Sequence, residues 1–264
     1  MIWRGILAMI LSLWLTGQGV AQEDKSEQIE SDISSRNIAI LSNFTGQRIV
    51  IFGTIENSQH SEFEQALYDV VVAIRGPKDT IVIRKKSRIA GIWINAESHT
   101  FANVPGYYAV LSTRPLGEVA NRTVLTAYGL GFDSLVLRPL GPNAPAKAAD
   151  GSLNVFRSAV VRIRQRDGLF SHKPEGVVFV GRNLFRATID MPANVPVGQY
   201  ATDVYLLRNG EVLSHNRSQL KIHKEGFERF VYSAAFDYPL LYGIAAVIIA
   251  ISAGLLASVM TRRD

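Results

Sequence analysis

The sequence predicts a mainly β protein: an immunoglobulin-like antiparallel β-sandwich ectodomain, read as two units with a helical insertion, plus one C-terminal transmembrane helix. Three observations lead there. Short runs rich in Ile and Val, bounded by turn residues, recur through the middle of the chain. The phrase Ala-Asn-Val-Pro, followed by Gly, Tyr and Ala and then a β-prone run, begins at Ala102 and again at Ala193. Finally, Leu240 to Met260 is a run of 21 residues without a charge, enough helix to cross a hydrocarbon core of about 30 Å.

Residues 1–21 read as a signal peptide. Arg4 supplies a positive start, Gly5 to Leu15 is apolar, and small Gly19 and Ala21 sit at −3 and −1 of a cleavage site. An acidic, flexible segment follows over residues 22–36. The first β unit covers 37–114. Its strands are "NIAILS", "QRIVIFGTIE", "YDVVVAIRG" and "TIVIRKK", with "GPKD" (Gly76 to Asp79) as a hairpin loop between the last two.

The repeated phrase has a physical reading. Proline cannot join a central ladder, glycine permits a tight bend, and the tyrosine can bury its ring while its hydroxyl reaches a backbone partner. Each copy therefore leads into a late strand, and their separation approaches the roughly 100 residues of one immunoglobulin-like domain. A single sandwich is the rival reading, because only "GVVFVG" and "LFRATIDM" precede the second copy as clear strands.

Residues 115–170 form a helical and linker insertion. "LGEVANRTVLTAYGLG" is helix-compatible between Pro115 and Gly129, and Gly141 to Gly151 is a loop. Leu153, Phe156, Val160 and Ile163 then fall at helical spacing, with Ser152 as N-cap and Gly168 as stop. The alternation in Val161-Arg162-Ile163-Arg164 would instead suit a strand. The second β unit covers 171–225, and Asn209-Gly210 between two alternating runs marks a type I′ hairpin.

Residues 226–237 approach the membrane, 238–260 cross it and 261–264 form a tail. Arg262 and Arg263 place that tail in the cytoplasm, and Phe236, Tyr238 and Tyr242 suit the membrane interface. Ala246, Ala250, Gly254 and Ser258 make a stripe of small residues on one side of the span, the pattern that lets helices approach closely. The expected location is the inner (cytoplasmic) membrane, with the ectodomain in the periplasm.

Composition narrows the chemistry. The chain has no cysteine, so disulfides and thiolate metal sites are excluded. A formal net charge of +5 admits an anionic ligand or membrane surface, while nucleic acid is no expected partner outside the cytoplasm. The five histidines lack metal-ligand spacing, and no Gly-x-Ser-x-Gly elbow, P-loop or dinucleotide fingerprint occurs. "HSEFE" (His60 to Glu64) reads as a solvated loop. The basic clusters Arg84 to Arg88 and Arg162, Arg164 and Arg166 read as a solvated strand end and helix face, or as groups that steer an anion or touch lipid headgroups. No catalytic residue, metal ligand or cofactor is expected, and the protein is not expected to be an enzyme.

Signal, β-rich ectodomain, "VPVGQYATDVYLLRNGEVL", C-terminal span and Arg-Arg tail together resemble a family of uncharacterised alphaproteobacterial single-pass transmembrane proteins. Phe185 to Leu213 is the most specific part, and "FRSAVVRIRQRDGLF" also follows the family's pattern. The resemblance implies no catalytic residues. It implies a bilayer-bound accessory protein beside a permease of the sulfite or sulfonate exporter type. The alternative is a periplasmic ligand-binding or hydrolytic domain acting on envelope glycans or another anionic ligand.

Overall fold

The computed structural model describes residues 26–58, 68–142, 144 and 151–261. Residues 1–21, expected as a signal peptide, together with "HSEFE", most of the Gly141 to Gly151 segment, and Arg262 and Arg263, lie outside the described residues.

Thirteen strands are present among the described residues. They are β1 (Gln28–Ile33), β2 (Asn37–Ile40), β3 (Gly46–Glu56), β4 (Asp69–Arg75), β5 (Lys78–Ile89), β6 (Ile92–Pro105), β7 (Tyr108–Ser112), β8 (Arg138–Leu140), β9 (Phe170–Lys173), β10 (Val177–Val180), β11 (Leu184–Pro192), β12 (Gly198–Arg208) and β13 (Glu211–Lys224). The helices are α1 (Leu116–Val119), α2 (Arg122–Tyr128), α3 (Asn154–Arg166), α4 (Phe227–Asp237) and α5 (Pro239–Thr261).

These strands form three sheets, ordered β1-β3-β11-β10, β2-β13-β12-β4-β7-β9 and β5-β6-β8. The first is antiparallel throughout; in the second, β13–β2 and β7–β9 pair parallel and the rest antiparallel. Alternation builds the core. In β3, Ile49, Ile51 and Ile55 point inward from every second position. They share one hydrophobic cluster with Phe185 and Ile189 of β11 and with Val72, Val204, Leu206 and Ile222 of the six-stranded sheet. Fully burying each such aliphatic side chain contributes about 1.5–3 kcal/mol.

That cluster corrects the expectation of two units. β11 pairs with β3 and β12 pairs with β4, so strands from 37–114 and 171–225 alternate within the same sheets. Neither half could bury its apolar faces alone. The loop expected at Gly76 to Asp79 is also corrected. β4 and β5 are not paired; β5 pairs with β6, and Gly76-Pro77 is a bend in one long hairpin. Opposite it lies Pro105-Gly106, held by Gly76 N–H donating to Tyr107 O (2.8 Å) and Gly106 N–H to Pro77 O (2.7 Å).

The insertion is helical, with local differences. "LGEVANRTVLTAY" splits into α1 and α2, because Asn121 accepts a hydrogen bond from Val124 N–H (2.9 Å) and starts a new helix. Gly129, at φ 62°, ends it as expected. The α3 helix prevails over the alternating strand reading and buries Phe156 and Val160, with Leu153 rather than Ser152 at its N-cap. The Asn209-Gly210 turn has both residues at positive φ, 52° and 85°, as type I′ requires.

Candidate functional site

Because β4 and β13 are each antiparallel to β12, they run in the same direction and finish at one end of the six-stranded sheet. From β13 the chain enters α4 and α5; from β4 it enters the β5–β6 hairpin. Both repeated phrases lie at this end too, leading into β7 and β12 on either side of β4.

At this end a cleft of about 710 Å³ opens between β13, β2 and α4. Val197, Ile222 and Tyr232 give it apolar walls, while Asn37, Lys221 and His223 line it with polar groups. Tyr232 also borders a neighbouring groove of about 700 Å³ with Leu41, Ala235 and Phe236. His223 Nε2 lies 2.7 Å from Glu225 Oε1. An apolar body with an anionic or hydroxylated head matches this lining.

The outward face of the same sheet carries a polar hub that sequence reasoning missed. Asp203, in the middle of β12, has a fully buried side chain. Arg75 from β4 donates to its Oδ2, and Arg217 from β13 donates to Oδ1 at 2.5 Å. His215 Nε2 sits 3.0 Å from Oδ1 and stacks on Tyr205 with centroids 4.6 Å apart. Arg75 also donates to the Tyr128 and Gly129 carbonyls at 2.7 and 3.0 Å, tying the insertion down. Burial pushes the Asp203 pKa up, but the Arg217 and His215 bonds and the Arg75 charge outweigh it and hold the carboxyl below its ordinary value. His215 serves the hub, Ser214 Oγ accepts from Ile29 N–H (3.1 Å) and Asn216 Oδ1 accepts from Ser31 (3.1 Å).

Among the described residues, the other buried carboxylates are likewise paired with arginine. Glu27 meets Arg208 at 2.7 Å, and Asp69 meets Arg114 and Thr113. The basic cluster on α3 is dispersed: Arg164 reaches toward Asp79 at 4.0 Å and Arg166 pairs with Asp167 at 3.0 Å.

α5 corresponds to the expected span. Over Pro239–Ser258 it is long and apolar enough to cross a membrane. Ala246, Ala250, Gly254 and Ser258 are exposed along it, and a Cβ on Gly254 would meet nothing within 4 Å. Phe236, Tyr238 and Tyr242 are exposed around the α4–α5 junction, and Phe236 packs on Tyr232 with ring centroids 4.4 Å apart.

A family described as "Putative transmembrane protein (Alph_Pro_TM)" matches residues 28–263. The chain belongs to that alphaproteobacterial transmembrane family. No curated protein matches it.

Proposed function

We propose that, as a member of this family, the chain is a non-enzymatic accessory module anchored in the inner membrane. Its ectodomain stands in the periplasm, and its tail, with Arg262 and Arg263, lies in the cytoplasm. Through α5 it associates with an integral-membrane partner such as a sulfite- or sulfonate-type permease. The observation that carries this reading is the stripe Ala246, Ala250, Gly254 and Ser258, which the single chain leaves uncovered. Arginine pairing of Glu27, Asp69 and Asp203 supports the non-enzymatic part, because it removes these buried carboxylates from acid–base work. The order β1-β3-β11-β10 with β13-β12-β4-β7 supports an immunoglobulin-like sandwich, as does the Tyr200 hydroxyl donating back to the Pro196 carbonyl at the start of β12.

Co-purification tests the reading. The full chain, tagged at its C-terminus, is crosslinked briefly in native membranes and solubilised gently. A stoichiometric membrane protein is expected, and Gly254→Leu should weaken its recovery. Unchanged recovery with Gly254→Leu would remove α5 from the interface.

The cleft beside Lys221 and Tyr232 favours a second reading, a binding or hydrolytic domain for envelope glycans or another anionic ligand. Saturable binding or turnover by the full chain, lost in Lys221→Glu, would favour it over the accessory role.

A further inference from the structure

The β5–β6 hairpin extends well beyond the sheets that share the core. Twelve residues of β5 at about 3.3 Å each span roughly 40 Å. Its base is held: β8 pairs with Thr100, Phe101 and Ala102, and Phe156 of α3 meets His99 edge-on at 4.4 Å. The outer part is bare, and every residue from Ile92 to Ser98 is exposed.

At its end Ile89, Ile92, Trp93 and Ile94 are 50%, 64%, 67% and 40% exposed. Four large apolar side chains together at the end of a projection form a contact surface, unlike isolated exposed apolar residues. Arg88 pairs across from Trp93 and donates to Gly91 O (3.3 Å) at the end itself; behind it stand Arg84, Lys85 and Lys86, opposed between residues 84 and 97 by one carboxylate, Glu97, 3.7 Å from Lys85.

The turn carries an independent signal. Ala90 and Gly91 adopt φ 50° and 87°, close to the Asn209-Gly210 pair at 52° and 85°. Asparagine is the favoured residue at the first of these positions, and alanine there is strained. The hairpin thus keeps a less stable turn flanked by the paired Ile89 and Ile92.

We infer that this end is a second membrane contact: Ile89, Ile92, Trp93 and Ile94 enter the interface of the bilayer that α5 crosses, and the four cations engage anionic headgroups. Trp and aliphatic side chains suit the interface, and basic residues are drawn to anionic lipid. Direction supports the same bilayer, because β4 and β13 leave one end of the sheet, one toward this hairpin and the other toward α5. The inference rests on anchoring by α5, not on any protein partner.

The absence of cysteine allows a direct test. The full chain with Ile92→Cys is labelled with an environment-sensitive fluorophore and placed in nanodiscs. One set contains phosphatidylglycerol, the other only phosphatidylcholine. Glu211→Cys, exposed beside the turn at the other end of β12 and β13, is the control. In anionic discs the Ile92→Cys label should shift to the blue and be quenched by nitroxide lipid; the control label should do neither. Lys85→Glu with Lys86→Glu should reverse the shift. A label at Ile92→Cys as water-exposed as the control in both lipids would overturn the contact. Protection in native membranes alone would assign the end to a protein and overturn the lipid contact too. Co-elution with the discs reports on the anchor separately: its loss overturns anchoring itself, whereas retention with a wet label overturns the hairpin contact alone.

Discussion

The rings of Tyr107 and Tyr200, one from each copy of the repeated phrase, lie 6.0 Å apart and inclined by 55°. They meet at Gly76, where a Cβ would come within 2.9 Å of Tyr200 Cε1 and 3.0 Å of Tyr107 Cβ. The neighbouring Tyr108 hydroxyl donates to Gly129 O (2.7 Å) and accepts from Gly131 N–H (3.0 Å), linking this end of the sheet to the insertion. Burial pushes the Tyr108 pKa up to about 12 and raises those of Tyr107 and Tyr200, so all three remain protonated at neutral pH.

Gly76→Ala should overpack this contact and cost about 1–3 kcal/mol. Tyr200→Phe, which loses only the bond to Pro196, should cost about 1 kcal/mol. Urea unfolding of the detergent-solubilised chain ranks the two; a wild-type midpoint for Gly76→Ala would show that the tyrosines yield freely.

Asp203→Ala strands Arg75 and Arg217 on the outer face of the sheet. Complete burial of the carboxylate argues for a large loss, but Arg75 and Arg217 keep 25% and 57% of their side-chain surface exposed. The expected cost is therefore about 2 kcal/mol, below the 3–5 kcal/mol of a fully buried pair. A loss under a few tenths, read from urea unfolding, would mean that solvent compensates both guanidinium groups.

The same carboxylate sets a pH dependence. Its folded pKa lies below the ordinary 3.8, so the unfolded chain binds the proton more readily. Its stabilisation is complete above that value and is lost as pH falls through the folded pKa. Unfolding midpoints measured from pH 7 to pH 2 should show this contribution flat down to about 4 and falling below it. Asp203→Asn should reduce the acid slope, and an identical slope in both proteins would exclude Asp203 as a source.

Phe156→Ala should cost about 3 kcal/mol by opening a cavity under α3. Since Phe156 meets His99, amide exchange should quicken in β5 and β6 before it does in β12 and β13. Uniform acceleration would mean that α3 supports the whole fold rather than the hairpin.

Ala90→Asn should stabilise the β5–β6 turn by several tenths of a kcal/mol, because asparagine tolerates positive φ better than alanine. Thermal unfolding should rise slightly while blue-shifted emission at Ile92→Cys weakens in anionic discs. Unchanged emission would separate the turn's polarity from membrane contact.

The pattern of Ile49, Ile51 and Ile55 determined an inward face for β3, and the run Leu240 to Met260 determined an apolar span. Pro, Gly and Asn punctuation likewise determined the Asn209-Gly210 turn and the end of α2. Each is legible because its cause acts within a few residues: side-chain period, backbone dihedral preference, or length of apolar helix. Strand partnership is not of that kind. The repeated phrase suggested two units, but only long-range pairing decided that both copies flank β4. A register shift between Leu206 and Leu207 decided that Asp203 faces Arg217; the two-residue turn alone would place it opposite Asn216. One residue of slip changes which side chains meet across the sheet, and no local propensity encodes it. The hub was illegible for that reason, whereas the apolar hairpin end was written in plain view as Ile89, Ile92, Trp93 and Ile94 and acquired meaning only once the fold left it exposed.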